Sequence, residues 1–318
     1  MKATGRAGMI KLRVANVRMT AVVATILWFL AASFAVAGTL RIASYNVENY
    51  LDAPADTRPA KSAAARAKVR ESIRAANPDI LALQEIGSQS ALAELQRSLE
   101  LEGLPLPYSD WIQAADTNIH IAVLSRFPFA ARRPHTNDFY LLGGRRFGVS
   151  RGFAELDIGS GAGRFTLIAA HLKSQRPVPE ADQAEQRAQE ARLLRKLIDR
   201  RLADNPDLNL VVLGDFNDNR DSPSIRTLLG RGRTRLIDTR PAERPREPAS
   251  AGSGGIPFRT VAWTHYYGKE DSWSRLDYIL LSPAMARRWI SQETFIPIVP
   301  GWGEASDHRP IVAAFHFE

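Results

Sequence analysis

The sequence predicts an α/β fold, because short runs of apolar and β-branched residues alternate with longer amphipathic stretches. The chain has 318 residues, of which 45% are hydrophobic and 24% are charged, and its mean hydropathy is −0.22. These values exclude a disordered, collagen-like or polytopic membrane protein. The length is sufficient for one large domain or two ordinary ones.

The first predicted elements are a strand and a helix. Thr39–Asn46 alternates apolar and polar residues, which is the pattern of a half-buried strand. Lys61–Ala76 is rich in alanine and carries Val69 and Ile73 one helical turn apart. Pro78 limits this helix, because the residue before a proline disfavours the helical conformation.

Six further strands and a long helix complete the predicted α/β core. The strands are Asp79–Gln84, Ile119–Ser125, Arg164–Ala170, Asn209–Leu213, Arg275–Leu281 and Pro310–Phe317. The helix covers about Glu180–Leu202, and we expect an apolar buried face with the charges on the opposite face. The residues of that apolar face are Ala184, Ala188, Ala191, Leu194, Ile198 and Leu202.

Two segments are interpreted as loops. Arg240–Phe258 contains four prolines and the run SAGSGG, which is typical of a mobile surface loop. Arg132–Phe153 mixes arginines with aromatic residues, a combination that can bind a phosphodiester chain. Composition explains the same pattern equally well, since 35 of the 42 basic residues are arginine. Within this segment Arg151 is the main candidate for phosphate contact.

The first 37 residues have the three parts of an export signal. Five basic residues and no acidic residue precede an uncharged apolar run, Thr20–Ala37, which ends in the small-x-small pattern AVA. We therefore expect a signal peptide at 1–37, a single domain at 38–318, and an exported product that is periplasmic or extracellular. The alternative is an uncleaved membrane anchor, since a run of this length just spans a bilayer.

Charge and cysteine content restrict the function. Of the 42 Lys and Arg residues and 34 Asp and Glu residues, five basic residues lie in 1–37, so the net charge of +8 falls to +3 without that segment. The basic character is therefore not evidence for nucleic-acid binding. Cysteine is absent, which excludes disulfide scaffolds, thiolate nucleophiles and cysteine-bound metals. A metal would bind to oxygen ligands or histidines, which favours a hard cation such as Mg²⁺.

Polar residues recur where the predicted apolar strands begin or end. They are Asn46, Glu48, Glu85, His171, Asp215, Asn217, Asp277, Asp307 and His308. Each one alone could be a solvated loop residue. Together they point to one site, because the carboxyl ends of strands line the ligand crevice in α/β proteins. Carboxylates beside buried strands also require a cation or a histidine as partner.

Six motifs in this order resemble the endonuclease/exonuclease/phosphatase superfamily, which has the DNase I-like fold. They are NVEN, LALQEIG, AAHLKS, LGDFND, RLDYILLS and SDHRP. The resemblance extends from about Leu40 to Phe317. It implies a two-sheet sandwich flanked by helices, with four layers in the order α/β/β/α and one domain. It also implies hydrolysis of phosphoesters with a divalent metal.

The resemblance assigns the metal ligands. Glu85 matches the family's metal-binding glutamate, and Asp307 matches the aspartate that precedes its histidine. Asn46 resembles an amide that holds the metal or its neighbours, and Glu48 stands where relatives often carry an acid. We expect Mg²⁺, with Mn²⁺ or Ca²⁺ as alternatives, to act as a Lewis acid on Glu85 and Asp307.

The resemblance also assigns the catalytic and substrate-binding groups. Asp215 and Asn217 match the pair that positions water and phosphate, and Asp215 is the candidate general base. His171 and His308 match two histidines that face the phosphate, and Asp277 resembles the carboxylate that orients His308. His308 is the alternative base. The expected substrate-binding residues are Arg151, Lys173, Asn217 and His171.

Residues outside these motifs are interpreted as structural. They are His120, His135, His265 and His316, together with Trp263, Tyr266, Tyr267 and Trp273, although the aromatic group borders the substrate groove in relatives. In relatives of exonuclease III that cut at abasic sites, a tryptophan directly precedes R-L-D-Y. Ser274 occupies that position here, which argues against abasic-site specificity.

The sequence therefore predicts an exported, metal-dependent nuclease that hydrolyses DNA by in-line attack of water, with RNA as a second candidate substrate. One alternative is a phosphatase or phospholipase-type phosphodiesterase acting on a small phosphoester or a lipid head group. Another is a non-catalytic binding protein, which the full set of site residues argues against. No obligate protein partner is expected, and membrane contact is expected only if residues 1–37 are not cleaved.

Overall fold

The computed structural model describes residues 38–159, 163–243 and 261–317, and Thr39–Phe317 belong to one compact unit. Its strands, in chain order, are β1 (Gly38–Tyr50), β2 (Ile80–Ile86), β3 (Tyr108–Ile112), β4 (His120–Ser125), β5 (Phe129–His135), β6 (Phe139–Leu142), β7 (Arg145–Gly148), β8 (Phe153–Ile158), β9 (Phe165–His171), β10 (Leu210–Asp215), β11 (Ile237–Asp238), β12 (His265–Tyr267), β13 (Ser272–Ser274), β14 (Asp277–Leu281), β15 (Trp289–Phe295) and β16 (Ile311–Phe317). The α-helices are α1 (Ala63–Ala76), α2 (Gln89–Leu101), α3 (Gln183–Asp204), α4 (Pro223–Leu229) and α5 (Pro283–Ala286).

Two six-stranded sheets organise the chain. The first sheet has the order β15-β16-β1-β2-β4-β3, and the second has the order β11-β14-β10-β9-β8-β5. In the first sheet β1 and β2 are parallel, and in the second sheet β9 and β10 are parallel. Two short hairpins, β6–β7 and β12–β13, stand outside the sheets.

The sheets pack face to face with helices on both outer faces. Side chains such as Ile42 and Val123 from the first sheet meet Leu167 and Val211 from the second in a shared apolar core. Helices α1 and α2 cover the outer face of the first sheet, and α3 and α4 cover the outer face of the second. This four-layer sandwich confirms the predicted fold class.

Helix starts follow local hydrogen bonding. Each α-helix is preceded by Ser or Asp, whose side-chain oxygen accepts the backbone N–H three residues further on. Ser62 therefore begins α1 two residues later than predicted, and Asp182 begins α3. Asn77 ends α1 in the left-handed conformation that commonly terminates helices.

The inner faces of the sheets become polar at one end of the sandwich. Along β1 the inward positions pass from Ile42 to Ser44 to Asn46, because alternate residues of a strand share a face. On β9 and β10 the same faces end in His171 and Asp215. The apolar core therefore leads directly into a cluster of buried polar side chains.

Two predictions about local structure are wrong. Arg132–Phe153, interpreted as a loop, contains the last four residues of β5 and the whole β6–β7 hairpin. The buried face of α3 is also not purely apolar, since Ala184 is exposed while Arg187 and Glu190 are buried. The apolar stripe of α3 turns into a polar one towards the helix N-terminus.

Some predicted segments fall outside the described residues. The export signal at 1–37 and most of Arg240–Phe258 are among them. In the described part of the chain, no helix combines the length and apolarity that a membrane crossing requires.

Candidate active site

A buried aspartate lies at the centre of the polar end of the sandwich. The Oδ2 atom of Asp215 accepts hydrogen bonds from the side-chain amides of Asn46, at 3.0 Å, and Asn217, at 3.2 Å. Its Oδ1 atom accepts the backbone N–H of Asn217 at 2.9 Å. Asp215 belongs to the second sheet and Asn46 to the first, so this carboxylate joins the two sheets.

The glycine before Asp215 is required for this arrangement. Gly214 has φ +141, and a Cβ atom there would overlap the carbonyl oxygen of Ala170 on β9. Only glycine therefore lets the ends of β9 and β10 approach in this register, which aligns His171 with Asp215. This is the physical reason for glycine in the GDFND motif.

Two histidines flank the Asp215 carboxylate and have opposite charge states. The Nε2 atoms of His171 and His308 lie 3.4 Å and 3.7 Å from Asp215 Oδ2. Burial, with the positive charges of Arg151 and His308, holds the pKa of His171 well below its usual value. Burial alone would also lower the pKa of His308, but its carboxylate neighbours raise that pKa well above the usual value. His171 is therefore neutral and His308 protonated near neutral pH.

Asp277 is the main cause of the His308 charge. Its Oδ2 atom lies 2.8 Å from His308 Nδ1. Asp277 pairs with Asp215 across β10 and β14, and its backbone N–H donates to Thr264 Oγ1 at 3.2 Å. The resulting chain Asp277–His308–Asp215 is consistent with the predicted orienting role of Asp277. Burial raises the pKa of Asp215, although the His308 charge acts in the opposite direction.

An acidic cluster lies beside this chain. Glu85 Oε1 accepts from the Asn46 amide at 3.3 Å, and its Oε2 accepts the Asn49 N–H at 3.0 Å. Glu48 Oε2 accepts the Asp307 N–H at 3.2 Å. Burial and the negative charge of Asp307 raise the pKa of Glu48. Glu48, Asn49 and Glu85 all have positive φ, so the backbone is strained where these acids converge.

The acidic cluster has the donors that Mg²⁺ prefers. The oxygen donors are the carboxylates of Glu85, Asp307 and Glu48 and the side-chain carbonyl of Asn46. A divalent cation would relieve the repulsion among the three carboxylates. The buried Oδ1 of Asn49 beside them has no hydrogen-bond partner. The predicted metal ligands therefore fit a magnesium site.

Two cationic residues near the site were not predicted. Burial lowers the pKa of Lys61, while Glu48, Asp307 and Glu85 act to raise it, which places its ammonium beside the acidic cluster. Arg58 is one of the cations that lower the pKa of His171. Both residues lie in or beside the irregular segment between β1 and α1, where no sequence pattern marks them.

The predicted substrate-binding cations lie on the His171 side. Arg151 is buried, pairs with Asp116 at 3.4 Å and donates to the Leu172 carbonyl at 3.5 Å. Asn217 donates to the same carbonyl at 3.0 Å. The segment after β9 therefore links Arg151 and Asn217, and it continues into Lys173.

Polar side chains of α3 form hydrogen bonds with the segment that follows β9. Glu190 accepts hydrogen bonds from Ser150, through both N–H and hydroxyl at 2.9 and 2.8 Å, and from the Lys173 N–H at 2.6 Å. Arg187 donates to the Lys173 carbonyl at 3.1 Å and to Asp218 at 3.0 Å. Helix α3 thus fixes three loops at once, those preceding Arg151 and following His171 and Asp215.

Apart from Arg151, the arginines of the Arg132–Phe153 segment divide into two groups. Arg132 pairs with Asp110 at 3.2 Å, and Arg133 pairs with Glu155 at 2.6 Å, so both are structural. Arg145 and Arg146 are exposed on the β6–β7 hairpin, where Arg146 lies over the ring of Phe139 at 3.7 Å. They remain available to a ligand.

His265, interpreted from the sequence as structural, lies beside His308 and Asp307, whereas the packing of His120 is consistent with its structural interpretation. His265 stacks on His308 with ring centroids 4.6 Å apart, and its Nε2 lies 3.6 Å from Asp307 Oδ2. His120 packs against Trp111 at 4.4 Å. The β12–β13 hairpin, which carries His265, also carries the partly exposed rings of Tyr267 and Trp273.

Comparison with known proteins gives a family and a fold. The family model described as Endonuclease/Exonuclease/phosphatase family matches residues 43–308. Truncated TDP2 from Caenorhabditis elegans is 17% identical, with 88% of this chain and 98% of that chain covered at a TM-score of 0.57. The human Nocturnin catalytic domain is 16% identical, with coverages of 88% and 95% and a TM-score of 0.58. Sphingomyelinase C from Streptomyces griseocarneus is 18% identical, with coverages of 88% and 100% and a TM-score of 0.57. No curated protein sequence matches the chain significantly.

Replacing Glu190 tests whether α3 positions the substrate-binding loops. Glu190→Gln removes the charge that accepts three hydrogen bonds from Ser150 and Lys173. We expect KM for a small phosphodiester to rise by about tenfold or more with a smaller change in kcat, because misplacement of binding groups weakens positioning. Glu190→Asp should recover part of the loss in steady-state kinetics.

The control is Arg195→Met on the same helix. Arg195 is buried and hydrogen-bonds Leu228 and Thr234, away from the catalytic edge. It should lower thermal stability without changing KM. Equal effects of the two variants on KM would contradict a positioning role for Glu190.

Proposed function

Because the chain belongs to the Endonuclease/Exonuclease/phosphatase family, a family of metal-dependent phosphoric ester hydrolases, we propose that it is an exported nuclease that hydrolyses DNA, with RNA as a second candidate substrate. The main support is the joint placement of an acid, Asp215, and a protonated histidine, His308, beside the group of oxygen donors proposed to bind the metal. These are the groups that in-line hydrolysis of a phosphodiester requires.

The proposed base is Asp215, which takes a proton from the attacking water. The pKa of Asp215 is raised towards neutral pH, which makes its carboxylate a stronger base than that of an ordinary aspartate. The amides of Asn46 and Asn217 hold its carboxylate and orient it. His308 already carries a proton, which supports Asp215 over His308 in this role.

The charge that develops on the phosphoryl oxygens would be stabilised from two sides. A divalent cation bound by Glu85, Asp307, Asn46 and Glu48 would act as a Lewis acid on the phosphoryl oxygens. It would also stabilise the negative charge that develops on the leaving oxygen as its bond to phosphorus breaks. His308 would donate a hydrogen bond from Nε2 to a phosphoryl oxygen, and Asp277 stabilises the charged imidazolium. Neutral His171, with Arg151 and Lys173 behind it, offers further donors.

Nucleic acid is proposed as the substrate because cations extend outwards from the site. Arg58, Arg151 and Lys173 lie on the His171 side, and Arg145 hydrogen-bonds the Glu180 carbonyl at 3.3 Å, near the loop that follows Lys173. Backbone phosphates on either side of the scissile bond could contact this series. TDP2, Nocturnin and sphingomyelinase C show that the fold alone does not select a substrate.

Three substitutions test the catalytic assignment. Glu85→Gln removes a ligand charge and should weaken Mg²⁺ affinity and turnover, since the oxygen site depends on charge. Asp215→Asn and His308→Ala should each lower kcat about a hundredfold or more, the usual scale for loss of a base or a charge-stabilising donor. EDTA should abolish activity of the wild type, measured on bis-p-nitrophenyl phosphate and plasmid DNA.

The matched control is His316→Ala, because His316 is exposed on β16, outside the site. Activity in EDTA, or unchanged kcat in all three site variants, would refute the assignment.

Charge reversal on the β6–β7 hairpin tests the substrate. Arg145→Glu/Arg146→Glu should raise KM for DNA about tenfold and reduce the log–log salt slope by about 0.9 for each lost phosphate contact. Hydrolysis of a small diester should stay constant, because the metal site is untouched. Arg231→Glu/Arg233→Glu is the matched control, with both residues exposed beside β11 at the opposite end of the second sheet.

The alternative substrates give the opposite result. Turnover of sphingomyelin or a small phosphoester far above that of DNA at matched concentration would replace the nuclease proposal with a phospholipase or phosphatase.

Export is proposed from residues 1–37, with 38–318 as the catalytic domain. Cleavage after Ala37 should give a mature protein that begins at Gly38, detectable by intact-mass or N-terminal analysis of the exported fraction. A product that still carries residues 1–37 would instead indicate a membrane anchor.

A further inference from the structure

A second group of metal-ligand atoms lies at the outer edge of the site. His265, Asp307 and His308 each offer one ligand atom, and these atoms all lie within 4.8 Å of one another. His265 Nε2 lies 3.6 Å from Asp307 Oδ2, and His308 Nε2 lies 4.0 Å from Asp307 Oδ1. Ligands in a tetrahedral zinc site are about 3.3 Å apart, given metal–ligand bonds of about 2.0–2.1 Å. Small side-chain movements would therefore complete this site.

The donor set differs from that of the acidic cluster. Two imidazole nitrogens and one carboxylate suit Zn²⁺ or Co²⁺, whereas Mg²⁺ prefers oxygen donors. His308 is also arranged as zinc-binding histidines usually are, because Asp277 contacts its Nδ1 at 2.8 Å and leaves Nε2 directed into the site. Three protein ligands leave one coordination position open.

The third ligand, His265, is fixed in place by the backbone. Strand β12 forms a bridge to His308, with the Tyr266 N–H donating to the Asp307 carbonyl at 2.9 Å. The Arg309 N–H donates to the Thr264 carbonyl at 2.7 Å. An isolated two-stranded hairpin is marginally stable by itself. These hydrogen bonds tie β12 to the segment that carries the other two ligands.

Aromatic packing supports the hairpin on its other side. Trp273 lies against Tyr266 at 4.1 Å and against Trp263 at 4.4 Å, between ring centroids. Trp263 also packs on Trp302 at 5.2 Å, and the Arg309 guanidinium lies over its ring. The position of His265 is thus preorganised, which lowers the entropic cost of binding an ion.

We propose that His265, Asp307 and His308 form a binding site for Zn²⁺ or Co²⁺ that inhibits the enzyme when occupied. An ion there would replace the proton on His308 Nε2, which is released to solvent while Asp277 stays in contact with Nδ1. The hydrogen bond that Nε2 is proposed to donate to the phosphoryl oxygens would then be lost. The ion would also engage Asp307, a proposed magnesium ligand. The binding site goes beyond the proposed function, and only its inhibitory effect depends on that function.

Cobalt binding tests the site without an activity assay. Titration of metal-free protein with Co²⁺ should give the intense visible absorption of a tetrahedral centre, and Zn²⁺ should displace it. In His265→Ala the band should be lost and the Zn²⁺ Kd should rise about a hundredfold, because one of three protein ligands is missing. Asp307→Asn should weaken binding as well. His316→Ala is the matched control for general binding by histidine.

Activity gives the second readout. At saturating Mg²⁺, the Zn²⁺ concentration for half inhibition should rise in His265→Ala, with each variant compared with its own rate in the absence of Zn²⁺. Unchanged Zn²⁺ affinity in a folded His265→Ala protein would overturn the proposal. Tight binding to the wild type with no effect on hydrolysis would overturn the inhibitory role and leave the site.

Discussion

The burial of one carboxylate between two sheets is the constraint on which the site depends. A buried charge without partners is unfavourable by several kcal/mol, so Asp215 requires donors from its surroundings. The first sheet supplies Asn46, and the segment after β10 supplies Asn217. Gly214 permits the close approach of β9 that brings His171 alongside. The apolar core sets the spacing of the sheets, and these hydrogen bonds determine how their polar ends meet.

The two histidines beside Asp215 show how local surroundings give the same residue type two different charge states. His171 and His308 lie at similar distances from Asp215, and both are buried. Cations surround His171, whereas Asp277 directly contacts His308. One imidazole is therefore a neutral donor and the other a charged one. A separation of protonation states by local charge is typical of catalytic sites, in which groups of one type must give and take protons.

How much the sequence predicts depends on how local each signal is. The strand order along the chain and the polar residues at strand ends are local patterns. In the structure, four of these polar residues, Asn46, Asp215, Asp277 and His308, contact one another. The bracing role of α3 was missed because Ala184 and Ala188 have helical spacing but do not lie on the buried face. Glu190 continues the stripe of Leu194 and Leu197, a spacing that could have revealed it. His265 reaches the site only through hairpin pairing, which no local pattern contains.

The site joins parts of the chain that are synthesised far apart in time. The Ser306 hydroxyl donates to the Asn46 carbonyl at 2.8 Å, a contact between residues 260 positions apart. β16, which follows His308, pairs beside β1 in the first sheet. A growing chain that ends before His308 already has Asn46 and Asp215, but the contact between His308 and Asp215 cannot form. The polar cluster between the two sheets therefore assembles only after the segment around His308 has been synthesised.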